Sequence, residues 1–129
     1  MLGRNTTSRV RSKNNALERM VFKYLNSEGV YYQKHYTRAP GNPDIALPRK
    51  KRAVFINGDF WHGRDFEKRR PQLSEYWIKK VSGNLERDTK NIERLTTLGW
   101  KCLVVWESDL IRKSTGLEHL RSIKIFLTE

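Results

Sequence analysis

A chain of 129 residues with 26 lysines and arginines against 14 aspartates and glutamates, a formal net charge of +12, has room for one compact domain with a real core and none for two enzymatic ones. So strong a positive balance points to a polyanionic partner or an anionic membrane surface; the membrane is set aside because no stretch approaches the roughly 18–20 consecutive apolar residues of a spanning helix, and the N-terminus lacks the apolar core of a signal peptide. A soluble, cytoplasmic protein is expected, and the lone Cys102 leaves neither a disulfide framework nor a cysteine-based zinc spacing.

Residues 1–13 carry Arg4, Arg9, Arg11 and Lys13 without a single acid and read as a flexible basic arm, with one domain over 14–129. Ser12 is a helix-cap residue, and Leu17, Met20, Val21, Tyr24 and Leu25 recur at three- and four-residue spacing until Gly29, which predicts an amphipathic helix. The aromatic and β-branched run 30–36 predicts a strand. After the breakers Ala39-Pro40-Gly41-Asn42-Pro43 come two further short strands, 44–47 and 53–57, separated by the basic tetrad 49–52. Residues 58–73, with Gly58, Gly63, Pro71 and many charges, read as a functional loop rather than a regular element.

Helical period returns from Ser74 through Tyr76, Trp77, Val81, Leu85, Ile92, Leu95 and Leu98 to Gly99. The apolar run 101–106 predicts the clearest strand, with Cys102 inside it as a small buried hydrophobe, and 117–127 predicts a last helix. Helix, three strands, helix, strand, helix implies an α/β sandwich with a central mixed sheet. There is no internal repeat and no low-complexity tract.

Three clusters have chemical content. Asn42-Pro43-Asp44 puts a carboxylate where a loop meets a strand, a place for a hard cation such as magnesium, which is held by one or two carboxylates and keeps several waters; a turn aspartate capping a strand is the equal alternative. Asn57-Gly58-Asp59-Phe60-Trp61-His62-Gly63 sets two large aromatics in a glycine-bounded polar loop, where they can stack on bases or fold back as a satellite core. His62 beside them is the side chain best suited to accept a proton near neutral pH. Asn84-Leu85-Glu86-Arg87-Asp88 offers acids on the long helix, of which either can be a solvated face or an i,i+4 partner. Glu18, between Leu17 and Arg19, reads by itself as a surface glutamate.

Together with Arg11-Ser12-Lys13-Asn14, Ala16-Leu17-Glu18, Pro40-Gly41, Tyr76-Trp77, Leu98-Gly99-Trp100 and Val104-Val105-Trp106-Glu107, these segments run in consistent order over about residues 11 to 110, and jointly they resemble the very short patch repair (Vsr) endonucleases. The resemblance implies a restriction-endonuclease-like fold of the PD-(D/E)xK type and a nick in duplex DNA, 5′ to the thymine of a T·G mismatch left by deamination of 5-methylcytosine. It implies that Asp44 binds Mg2+ with the main-chain carbonyl of Ile56, that His62 is the general base, Asp88 its orienting partner and Glu18 an acid ordering metal-bound water. Phe60, Trp61 and Trp77 match family aromatics that insert beside the mismatch, Arg11 and Lys13 match a family arm that embraces DNA, and Arg64 and Asn57 are expected as further DNA contacts. A monomer associated with the nucleoid, functionally linked to a DNA cytosine methyltransferase, is expected.

Three departures from the family pattern stand out. Positions matching the family's structural zinc ligands are Asp59, Arg64, Phe66 and Ser108, which implies a zinc-free loop held by Asp59 or Asp65 with neighbouring arginines. A second family histidine is replaced by Asn57, a poor acid, so leaving-group protonation falls to metal-bound water. Asn15 stands where a wedge methionine is expected. A homing or restriction-associated endonuclease acting on unmismatched DNA shares the Glu18, Asp44, His62, Asp88 set. A catalytically idle DNA-binding module would need only the basic surface, with salt-sensitive, sequence-indifferent binding.

Overall fold

The computed structural model describes residues 16–129; the basic arm, Ser12 and Asn15 lie outside the described residues. Helix α1 covers 16–27 and buries Leu17, Val21, Phe22 and Leu25, the face its spacing predicts. It ends in a Schellman closure: Gly29, at φ 67, donates to Asn26 and Val30 donates back to Leu25, which satisfies carbonyls the helix leaves open.

Strand β1 is only Gln33–Lys34, shorter than the predicted 30–36, followed by β2 (Ile45–Leu47) and β3 (Arg52–Asn57). The run shortens at both ends for identifiable reasons. Tyr32 turns to α1, stacking on Phe22 at 5.6 Å and bonding the Asn26 side chain, while His35 takes a left-handed φ of 46 that no extended strand can contain. β1 and β2 pair antiparallel, as do β2 and β3. The connection from β3 to the parallel strand β4 (Lys101–Trp106) carries α2 (Phe66–Arg69), a 3-10 turn (Arg70–Gln72) and the long α3 (Glu75–Thr97). After β4 come α4 (Glu107–Ile111) and α5 (Gly116–Thr128). The result is a four-stranded mixed sheet in the order β1-β2-β3-β4 with helices on both faces, as expected.

Strand alternation sorts the core. Val54, Ile56, Leu103 and Val105 face α1 and α5, where Leu25, Ile123 and Leu127 complete the larger cluster. Ala53, Phe55 and Cys102 face the other way, against Leu95 of α3 and Trp100. Burial pushes the Cys102 thiol pKa up, the behaviour of a core thiol rather than a nucleophile.

Three short helical elements also depart from the sequence reading. The segment 58–73, expected to be irregular, contains α2 and the 3-10 turn, and α4 follows β4 directly. Each of the short helices buries one apolar side chain, Phe66 or Leu110, and a single anchor leaves no periodic trace. α3 runs unbroken through Gly83, beside which an added Cβ would meet open space; a mid-helix glycine costs about 1 kcal/mol relative to alanine, and Ser74 caps the N-terminus by accepting from Trp77 N.

Candidate active site

Asp44 reaches its place through a sharp return. Asn42 N donates to the Ala39 carbonyl at 3.2 Å, with Gly41 and Asn42 at φ 80 and 47, and a Cβ at Gly41 would meet Asn91 and Phe55 at 3.1–3.2 Å. The buried Pro43 then delivers Asp44 at the mouth of β2. The β2–β3 ladder ends at Ile45 opposite Val54. Beyond it the free Ile56 N–H donates to Asp44 Oδ2 at 2.7 Å, so a side chain takes the bond a strand would have made. Burial raises the Asp44 pKa from 3.8 to about 7; the Ile56 N–H opposes this, the neighbouring Glu18 carboxylate adds to it, and the charge of His35 works against it.

His62 and Asp88 form a second unit. The loop after β3 is tied by bonds from His62 N to Gly58 O, Gly63 N to Phe60 O and Arg64 N to Asp59 O. Gly63, at φ 74, lies so close to Leu85 of α3 that a Cβ would sit 2.7–2.9 Å from its side chain. Asn84 Nδ2 donates to the Trp61 carbonyl at 2.8 Å, and Asp88 Oδ2 stands 2.6 Å from His62 Nδ1. Asn84, Leu85 and Asp88 share one face of the helix, and that face receives the loop. Glu86 points elsewhere and pairs with Lys90 at 3.2 Å, an exposed i,i+4 contact.

A cavity of about 190 Å³ has Glu18, Asp44, Ile56, Asn57, His62 and Asp88 in its wall. Asn57, last residue of β3, is buried. Four side chains expected to act together, from α1, the residue before β2, the loop and α3, thus line one cavity.

One member of this neighbourhood was not foreseen. His35 Nε2 lies 2.8 Å from Glu18 Oε2, and donor atoms of Glu18, His35 and Asp44 all fall within 4.8 Å of one another, a group able to hold a metal ion. The run 30–36 reads as strand on its aromatics, which hides its histidine. The antiparallel register pairing Lys34 with Ile45 sets His35 opposite Asp44, a juxtaposition visible only once that register is known.

Phe60, Trp61, Trp77 and Tyr76 pack edge to face, with centroid separations of 5.0–5.5 Å. The first three are partly buried and Tyr76 is exposed, so the cluster is a satellite core that still presents aromatic surface. Arg64 is committed within the protein. Its guanidinium donates to Ser108 Oγ at 2.8 Å, pairs with Asp109 at 3.0 Å and more distantly with Asp59 at 3.9 Å, and lies over Trp106, while Ser108 N donates to Asp59 Oδ1. Asp59, Arg64 and Ser108 are therefore joined directly, Phe66 is the buried residue of α2, and the exposed Asp65 takes no part in these bonds. Arg11 and Lys13 lie outside the described residues.

Residues 4–68 match the family described as DNA mismatch endonuclease Vsr. The chain is 38% identical over 117 residues to the type II nicking enzyme V.NmeAIP of Neisseria meningitidis serogroup A, covering 89% of this chain and 84% of that protein. It is 35% identical over 116 residues to the type II nicking enzyme V.XorIIP of Xanthomonas oryzae pv. oryzae, covering 88% and 85%, and 31% identical over 103 residues to the DNA mismatch endonuclease Vsr of Escherichia coli K12, covering 78% and 66%.

Proposed function

Because this chain belongs to the Vsr family of DNA endonucleases, we propose that it hydrolyses one phosphodiester bond of duplex DNA with the help of Mg2+, nicking 5′ to the thymine of a T·G mismatch that arises from 5-methylcytosine deamination. The observation that carries this reading is the one cavity lined both by the His62–Asp88 pair and by Asp44.

The donor set fits a divalent cation. Asp44 is a carboxylate taken out of water beside a second carboxylate, which leaves it short of positive charge, and hard cations bind such oxygens while keeping waters of their own. Asp44 and the Ile56 main chain would hold the ion, which supplies positive charge that polarises the scissile phosphate. His62 acts as general base: with Nδ1–H donated to Asp88, Nε2 keeps its lone pair and accepts the proton of the attacking water. Asp88 fixes ring and tautomer and stabilises the imidazolium that forms. Glu18 orders water at the centre. Asn57 donates to a phosphate oxygen and has no proton to give at neutral pH.

Phe60, Trp61 and Trp77 meet the bases at the mismatch, and Arg11 and Lys13, in a basic arm over residues 1–13, hold the duplex backbone. The enzyme works in the cytoplasm as a monomer, functionally linked to a DNA cytosine methyltransferase whose methylated product, once deaminated, is its substrate.

The test is cleavage of matched and T·G-containing duplexes with and without Mg2+. The expected result is a nick in the thymine strand only, dependent on the cation and much faster on the mismatch. Equal cutting of a matched duplex points instead to a homing or restriction-associated enzyme, and binding without cutting to an idle module. Asp44→Ala should abolish cleavage and leave duplex binding intact. His62→Ala should cost at least about a hundredfold in kcat.

A further inference from the structure

Resting on that metal-dependent reading, we propose that Glu18, His35 and Asp44 form a three-ligand site for a divalent transition-metal ion of the manganese class, with His35 as a direct ligand. Asp44 is common to this site and to the magnesium arrangement above. The difference lies in the donors: magnesium keeps its waters and leaves Glu18 in the outer shell, whereas an ion that accepts imidazole draws in His35 Nε2 and the Glu18 carboxylate.

His35 is built into its position from the backbone outward. Its N–H donates to the Asp44 carbonyl at 2.9 Å, and Tyr36 N donates to Pro43 O at 3.0 Å, so pairing persists past the end of β1 even though His35 sits at φ 46. Histidine, like asparagine and aspartate, is enriched in the left-handed region, and the pairing holds it there. The ring stands edge-on to Phe22, 6.0 Å between centroids, and its Nε2 meets Glu18 at 2.8 Å. Glu18 is the more sheltered partner, with 14% of its side chain exposed against 58% for His35.

The three donor atoms lie within 4.8 Å of one another. Two ligands on opposite sides of an ion with bonds of roughly 2.1 Å are about 4.2 Å apart, so closing on one ion takes shifts on the order of half an ångström. Two carboxylates and one neutral imidazole, with positions left for water and phosphate, is also a donor set that first-row divalent ions accept.

The test uses Mn2+ alone with the full chain. Pulsed electron paramagnetic resonance should show a nitrogen bonded directly to Mn2+ in the parent and in His62→Ala, and none in His35→Asn, which keeps a residue tolerant of the left-handed backbone. Titration should show Mn2+ affinity falling at least about tenfold in His35→Asn, while Mg2+ affinity changes less than about twofold. Absence of the nitrogen signal in the parent, its persistence in His35→Asn, or no Mn2+ binding in the millimolar range overturns the proposal. Glu18→Gln, on a regular helix, carries the same comparison if His35→Asn melts early: it should weaken Mn2+ more than Mg2+, and equal or no loss counts against the site. Asp44→Ala separates the two readings. If it releases neither metal, the metal-dependent reading fails; if it releases both while His35→Asn releases neither, only the His35 assignment fails.

Discussion

Asp44 makes stability depend on pH and, on the metal-binding role proposed above, makes cation affinity depend on it as well. Its pKa in the folded chain is near 7, against 3.8 ordinarily, so between those values the folded state holds a proton that the unfolded state has lost. Stability of the metal-free chain therefore falls as pH rises from about 4 to about 7. A divalent cation favours the ionised form, so the stabilisation it gives should grow over the same interval. Thermal melts from pH 5 to 8, with and without Mg2+, should show both trends, and Asp44→Asn should flatten them. A parent whose metal-free melting temperature rises steadily across that range contradicts the assignment. His62 enters the site by position: its Nδ1 lies 2.6 Å from Asp88 Oδ2, and both residues line the cavity that Asp44 also lines.

The loop between β3 and α2 is the element on which the candidate site depends, because it carries Phe60, Trp61 and His62. Two devices hold it. Gly63 lets Leu85 approach where no side chain fits, and Arg64 ties the loop to Ser108 and Asp109 at the start of α4. We propose that Arg64 serves the loop more than the duplex. Gly63→Ala should cost about 2 kcal/mol or more, from a left-handed alanine and from overpacking against Leu85. Arg64→Ala should cost about 1–2 kcal/mol, since the ion pairs are one-third exposed on the arginine side. Both should lower kcat more than duplex affinity, as the loop that presents His62 loosens. Denaturant melts and single-turnover nicking check this, and an Arg64→Ala protein of unchanged stability but weaker DNA binding would assign the side chain to the duplex instead.

For the molecule as a whole the net charge of +12 makes salt the main control on affinity, since each phosphate neutralised adds about 0.9 to the slope of log K against log salt. Replacing Arg11 and Lys13 together by alanine should lower that slope by up to about 1.8 if each meets one phosphate, with equal effect on matched and mismatched duplexes. Trp61→Ala should do the reverse, eroding discrimination more than affinity. Filter binding over a salt series separates the two contributions, and an unchanged slope would remove the arm from the interface.

Most of the architecture was legible because it is written in periodicity. The α1 face, the strands at 44–47, 53–57 and 101–106 and the long α3 follow from spacing and breakers, and the mixed sheet follows from their order. The short helices at 66–69 and 107–111 were not legible, each resting on one buried side chain. Among the candidate site residues, Asp44 and His62 stand out by chemistry, while Asp88 and Glu18 look like any helix acid, and only the family resemblance separates Asp88 from Glu86. What the tertiary structure alone decided is which groups meet: the end of the β2–β3 ladder that hands the Ile56 N–H to Asp44, the helix face that presents Asp88 to His62, and the antiparallel register that brings His35 to Glu18. Spacing along a chain determines which face of an element is apolar; contact between elements depends on register and approach, which no local pattern encodes.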